Sequence, residues 1–131
     1  MNDADVLGIE VIEVQVPVDP AYLAVLRTAA AGLATRLQFS LGEIEDLRIA
    51  VDEAAAMLIA GTRRHAPDAE LTCRFEVTDD EVRVAVSVPG DGPLLGHDTI
   101  PWRVLNALTG TVRAEQSASG TTITLVKTRP A

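Results

Sequence analysis

A two-layer α/β sandwich is the fold class this sequence predicts, with helices covering one face of a mixed, mainly antiparallel sheet. Three observations carry it. Leu71, Cys73, Phe75 and Val77 alternate with polar residues, and so do Val82, Val84, Val86 and Val88, the pattern of two half-buried antiparallel strands. Two amphipathic helices precede them. No repeat, low-complexity tract or linker interrupts the 131 residues, a length that suits a single domain.

The elements follow in order. Ile9–Val16 is rich in Val and Ile with polar residues interleaved and reads as a strand; its phase slips between Val11 and Ile12, which allows a bulge. Asp19 caps a helix with Pro20 in its first position, and Leu23, Leu26, Ala30, Leu33 and Leu37 form its apolar face. Ser40 and Glu43 fit a capping box for a second helix, with Phe39 placed to staple onto Ile44. Ile44, Leu47, Val51, Ala54, Ala55 and Leu58 give its buried stripe, and it should end near Gly61, ahead of Pro67. The second half of this helix, Ala54–Ala60, is apolar all round, so it is covered on more than one side, by the rest of the domain or by a ligand, lid or partner. A hairpin through Thr78–Glu81 joins the two alternating strands, and Pro89-Gly90-Asp91-Gly92-Pro93 stops the second. A loop through Gly96 and His97 leads to a short helix around Trp102–Leu108, and Thr111–Gln116 and Thr121–Lys127 form a last hairpin.

Composition narrows the class. Hydrophobic residues at 47% and charged residues at 23% exclude a disordered chain. The longest apolar stretches fall short of the ~20 residues a membrane span needs, and the acidic start has no basic region of a signal peptide. With one cysteine, Cys73, an internal disulfide is impossible, and a cytoplasmic protein is the simplest reading. Net charge is -8, so the surface repels nucleic acid and anionic membrane and suits a basic protein partner.

Few residues carry candidate chemistry. His65 and His97 lie in loops without paired ligand spacing, no metal site is expected, and Cys73 sits at an inward strand position as a core residue. Gly90-Asp91-Gly92 lacks the Lys-Ser/Thr of a P-loop and reads as a turn. Arg48 stands four residues before Asp52 and is placed to pair with it on the helix surface. Glu53 points away from the buried stripe, toward the side shared with Met57 and Ala60. A carboxylate beside that apolar surface is either a positioned base or a charge on the helix rim.

Residues Glu43–Ala54, EIEDLRIAVDEA, resemble the N-box helix of the anti-sigma-factor serine kinases, the RsbW-like regulators of the GHKL ATPase superfamily. Element order, the two-helix start and the closing Gly120-Thr121-Thr122-Ile123-Thr124-Leu125 agree over roughly residues 9–128. The resemblance implies a histidine-kinase-like ATPase fold. It further implies a protein that holds an alternative sigma factor inactive and releases it when a STAS-domain antagonist binds. Many members use Mg-ATP to phosphorylate a serine of that antagonist; a homodimer is a further expectation.

The resemblance also assigns residues. Glu53 keeps the general base. The magnesium-ligating Asn corresponds to Met57, and the adenine-reading Asp to Val88. Gly90 and Gly92 remain from the glycine box, Gly96 from the lid, and Thr121 from the closing motif. Arg27 matches an arginine of the first helix that contacts an acidic patch of the sigma factor; read as a helix residue alone, it is a solvated charge. A thioether is a soft ligand that Mg2+ does not choose over oxygen, and a valine side chain makes no hydrogen bond. Mg-ATP is therefore expected to bind weakly or not at all. Three functions follow: an anti-sigma factor working by partner exchange, an active serine kinase whose Mg2+ is held by other groups, and an acidic adaptor with no sigma partner.

Overall fold

The computed structural model describes residues 9–90 and 100–129. Strands β1 (Glu10–Pro17), β2 (Glu70–Val77), β3 (Glu81–Pro89), β4 (Thr111–Ser117) and β5 (Gly120–Thr128) form one sheet in the order β1-β2-β3-β5-β4. Every described pairing in it is antiparallel. Helices α1 (Leu23–Arg36), α2 (Leu41–Arg63) and α3 (Ile100–Leu108) make the second layer, with α2 central, packed on β3 and β5 and flanked by α1 and α3. Among the described residues no helix is long and apolar enough to cross a membrane.

The strand alternation places the core. One inward row, Ile12–Phe75–Val84–Leu125–Val112, crosses all five strands in register. Phe75, Val84 and Leu125 in that row are fully buried beneath Leu26, Leu47 and Ile59 of the helical layer. The opposite face carries charges paired along β2 and β4, Arg74 with Glu76 at 3.3 Å and Arg113 with Glu115 at 3.7 Å. A face of that kind is a solvated surface.

The phase slip in β1 is not a bulge. Pairing with β2 runs unbroken from Glu10↔Val77 to Pro17↔Glu70, so Ile12, Val14 and Val16 turn inward and Val11 turns out, 38% exposed. A single valine on the outer face costs less than breaking the ladder. Asp19 caps as expected, accepting from the Ala21 N–H at 2.9 Å, but the first turn, Pro20–Tyr22, is a 3-10 turn that passes into α1.

The capping box of α2 is complete: Ser40 Oγ accepts from the Glu43 N–H at 3.2 Å and Glu43 Oε1 accepts from the Ser40 N–H at 2.8 Å. The helix runs two residues past Gly61, to Arg63, because Thr62 continues the buried stripe. Ser40→Ala is expected to cost about 1 kcal/mol in chemical denaturation at neutral pH. The Ser40 backbone N–H foremost, and the Ser40 side chain with it, hold the Glu43 carboxyl below its usual range, and only the side-chain part is lost in Ser40→Ala. A carboxyl lowered in the folded state stabilises above its unfolded pKa and loses that contribution as pH falls through the folded value. The difference between wild type and Ser40→Ala should therefore shrink in acid.

The C-terminal half is tied down by the only lysine. Lys127 on β5 donates to the Leu108 carbonyl at 2.9 Å, at the end of α3, and lies 3.6 Å from Asp46 on α2. A cation there satisfies a free carbonyl and complements the helix dipole.

Candidate functional site

The sequence-predicted residues fall into three places. Glu53 and Met57 lie one turn apart on α2, both half-buried, held by Ala54, Ala55 and Leu58, which face the core. Among the described residues Glu53 makes no hydrogen bond or ion pair. The apolar second half of α2 is largely covered by the domain itself: Ala54, Ala55, Leu58 and Ile59 are buried and only Ala60 is exposed.

Val88, Gly90 and Thr121 come together at the far end of β3 and β5. Val88 pairs with Thr121, and the Thr121 hydroxyl donates to the Gly90 carbonyl at 3.4 Å. Gly90 has φ +81°, a conformation that favours glycine. Gly120 is required for a different reason: a Cβ there would lie 2.5 Å from the Val88 carbonyl oxygen. Gly92 and Gly96 lie outside the described residues, as does His97. His65 is exposed, and Cys73 is fully buried with its thiol pushed up to about 12 by burial, an inert core residue.

The third place is the groove between α1 and α2. It is open, about 720 Å³, floored by small residues such as Ala31 and Gly32 and walled by Arg27, Arg48, Ile49 and Asp52. Arg27 is not a solvated charge. Its Nη1 donates to Asp52 Oδ1 at 3.0 Å, with side chains 42% and 29% exposed. The expected Arg48–Asp52 pair does not form; Arg48 turns to Glu45 at 3.3 Å instead. Asp52 as the partner of Arg27 escaped the sequence reading, yet a signal was present. Each follows directly after a buried stripe residue, Leu26 or Val51. A short connection, residues 37–40, makes α1 and α2 antiparallel neighbours. One residue past the stripe then turns to opposite sides on the two helices, so the two side chains can face each other across the groove.

Among the described residues, those at the positions the resemblance assigns, Met57 and Val88, do not offer the oxygen or hydrogen bond that a Mg-ATP group needs. Val88 is 3% exposed and turned into the apolar core with Val82, Val84 and Val86. Met57 offers sulfur where a hard cation needs oxygen. Among the described residues no cluster of three or more His, Cys, Asp or Glu side chains could hold a metal. Among the described residues at these positions, Glu53 carries a carboxylate with no competing partner.

The comparisons agree with this scaffold. Over 80 residues the chain is 36% identical to the serine-protein kinase RsbW of Bacillus subtilis (strain 168), covering 61% of this chain and 50% of the relative. It is 35% identical over 79 residues to the protein of the same name from Listeria innocua, covering 60% of this chain and 50% of that one. The chain thus spans about half the length of these curated relatives. The crystal structure of the RsbU and RsbW domains of Rv1364c from Mycobacterium tuberculosis superposes with a TM-score of 0.73 at 19% identity, over 93% of this chain and 33% of that one. At that identity the likeness concerns the fold. A profile of the histidine kinase-like ATPase domain matches residues 16–127, nearly the whole of the sandwich including α2 and the β3–β5 end, and the chain belongs to that family.

Proposed function

We propose that the chain is a cytoplasmic anti-sigma factor. It sequesters an alternative sigma factor of the stress or sporulation type, yields it to a STAS-domain antagonist, and has little or no kinase activity. One observation carries the reading: the ATPase scaffold is kept while the two positions that would hold magnesium and adenine are Met57, half-buried, and Val88, buried. A domain that keeps its shape and loses its nucleotide contacts retains surface recognition as its use. A second reading, an active serine kinase, is favoured by the unpartnered carboxylate of Glu53.

Capture of partners from a lysate of the source cell, identified by mass spectrometry, followed by phosphate-transfer assays on any STAS protein recovered, separates the readings. Sigma binding in stoichiometric amount without nucleotide supports the first. ATP-dependent phosphorylation of the antagonist supports the second, and absence of both leaves an acidic adaptor.

Arg27 is the expected sigma contact. Arg27→Glu should weaken sigma binding by about 2 kcal/mol, roughly 30-fold, and the wild-type affinity should fall as salt rises. The fold should tolerate the change, since a partly exposed pair such as Arg27–Asp52 contributes about 0.2–1 kcal/mol. Unchanged binding with no salt dependence would place the interface elsewhere, on the Met57–Ala60 side of α2.

A further inference from the structure

We infer that Asp52 is a positioning residue for partner recognition: it holds the Arg27 guanidinium over the α1–α2 groove so that an acidic side chain of the partner meets it already oriented. This rests on the reading of Arg27 as a partner contact and adds to it a residue whose role is set by contact with Arg27 alone.

The geometry supports holding rather than consumption. Among the described residues, Arg27 makes one hydrogen bond, from Nη1 to a single carboxylate oxygen at 3.0 Å. A guanidinium has five N–H donors in a planar fork. With Nη1 engaged, the Nε–Nη2 edge stays available for a second carboxylate, which it can take with two parallel hydrogen bonds. Both side chains are partly buried against the helix pair, Asp52 the more so at 29% exposure, and α2 is fixed by its core stripe. Asp52 is therefore the anchored member and Arg27 the guided one.

The groove supplies the charge logic. Its lining holds two arginines, Arg27 and Arg48, against Asp52, and with Glu45 paired to Arg48 the groove is locally balanced in a chain of net charge -8. Most of the surface repels an acidic partner group, and this groove is where one can be received. The small residues Ala31 and Gly32 and the exposed Ile49 leave apolar room beside the charge. The partner element that fits carries a carboxylate next to small apolar side chains.

Asp52 acts on such a partner in two opposed ways. It removes rotamer freedom from Arg27 before binding, worth roughly 2–10-fold in affinity for one long side chain. It also places a negative charge near the incoming carboxylate, which salt and water screen at an exposed groove. The inference is that holding outweighs repulsion. Asparagine separates the two, because its amide oxygen still accepts from Nη1 and carries no charge.

The test uses the full chain and the sigma factor recovered by capture, purified and titrated calorimetrically at low and at physiological salt. Asp52→Ala should bind roughly 2–10-fold more weakly. Asp52→Asn should recover wild-type affinity within about twofold or bind slightly tighter. In an Arg27→Ala background, Asp52→Ala should change nothing further, since the pair acts as a unit. A purely structural role for Asp52 would persist in that background and appear in the melting temperature. Tighter binding by Asp52→Ala would make Asp52 a competitor and overturn the inference, as would failure of Asn to rescue or an effect that survives loss of Arg27. Arg27→Ala that weakens binding while the Asp52 variants do not overturns the inference alone. Arg27→Ala without effect, or a chain that captures no sigma factor, overturns the inference together with the reading beneath it.

Discussion

Phe75→Ala is expected to lower the free energy of unfolding by about 3–5 kcal/mol. Phe75 is 0% exposed and sits in the row that crosses the sheet, between Ile12 on β1 and Val84 on β3. Removing the ring forfeits its transfer free energy and leaves a cavity that cannot collapse, because the neighbouring row positions are fixed by the backbone ladder. Against a typical total of about 5–15 kcal/mol, the variant should be marginal at physiological temperature. Urea unfolding followed by circular dichroism measures it; the midpoint should fall with little change in slope. Val11→Ala is the control. Val11 is also a strand valine, but it is 38% exposed on the outer face, and its loss should stay within about 0.5 kcal/mol. Equal effects from the two would mean that the assignment of inner and outer faces in β1 and β2 is wrong.

Titration with ATP, with and without Mg2+, should show binding at least ~100-fold weaker than a site with both polar contacts intact. Each missing contact of this kind accounts for ~1.5–3 kcal/mol. Met57 cannot supply a hard oxygen and Val88 cannot read the adenine amino group. A low-micromolar dissociation constant would show that other groups hold the nucleotide. The double variant Met57→Asn/Val88→Asp should tighten whatever binding exists. It should also melt lower than wild type, because position 88 is 3% exposed and an aspartate there enters the core without a partner until nucleotide arrives. Added ATP should raise that melting temperature and leave the wild type unmoved.

How much of this was legible in the sequence depended on the range of the interaction involved. The capping box of α2 is a contact between residues three apart, and Ser40 and Glu43 make it as the sequence indicates. The alternation in β2 and β3 is a local consequence of the pleat, and the inward residues Leu71–Val77 and Val82–Val88 are buried accordingly. Cys73 follows from the same period. The limits of α2 and α3 were less legible, since a helix end is settled by which residues still find burial, as Thr62 does.

Contacts between elements were where the reading missed. Asp52 has an arginine four residues before it and a second one, Arg27, 25 residues away, and it takes the distant one. Spacing along one helix offered Arg48; only the placement of α1 against α2 brought Arg27 to 3.0 Å while Arg48 went to Glu45. The slip in β1 was ambiguous for a similar reason, because one strand read alone does not reveal its register, and β2 sets it. By itself the sequence determined the two-layer sandwich, its buried stripes and the family membership that α2 announces. The tertiary structure alone decided which charges meet, that Val88 turns into the core, and that Gly120 must lack a side chain because the Val88 carbonyl passes 2.5 Å from where its Cβ would be. Periodicity and capping are fixed by bonds within a few residues. Ion pairs and close backbone approaches depend on packing between segments that lie far apart in the chain.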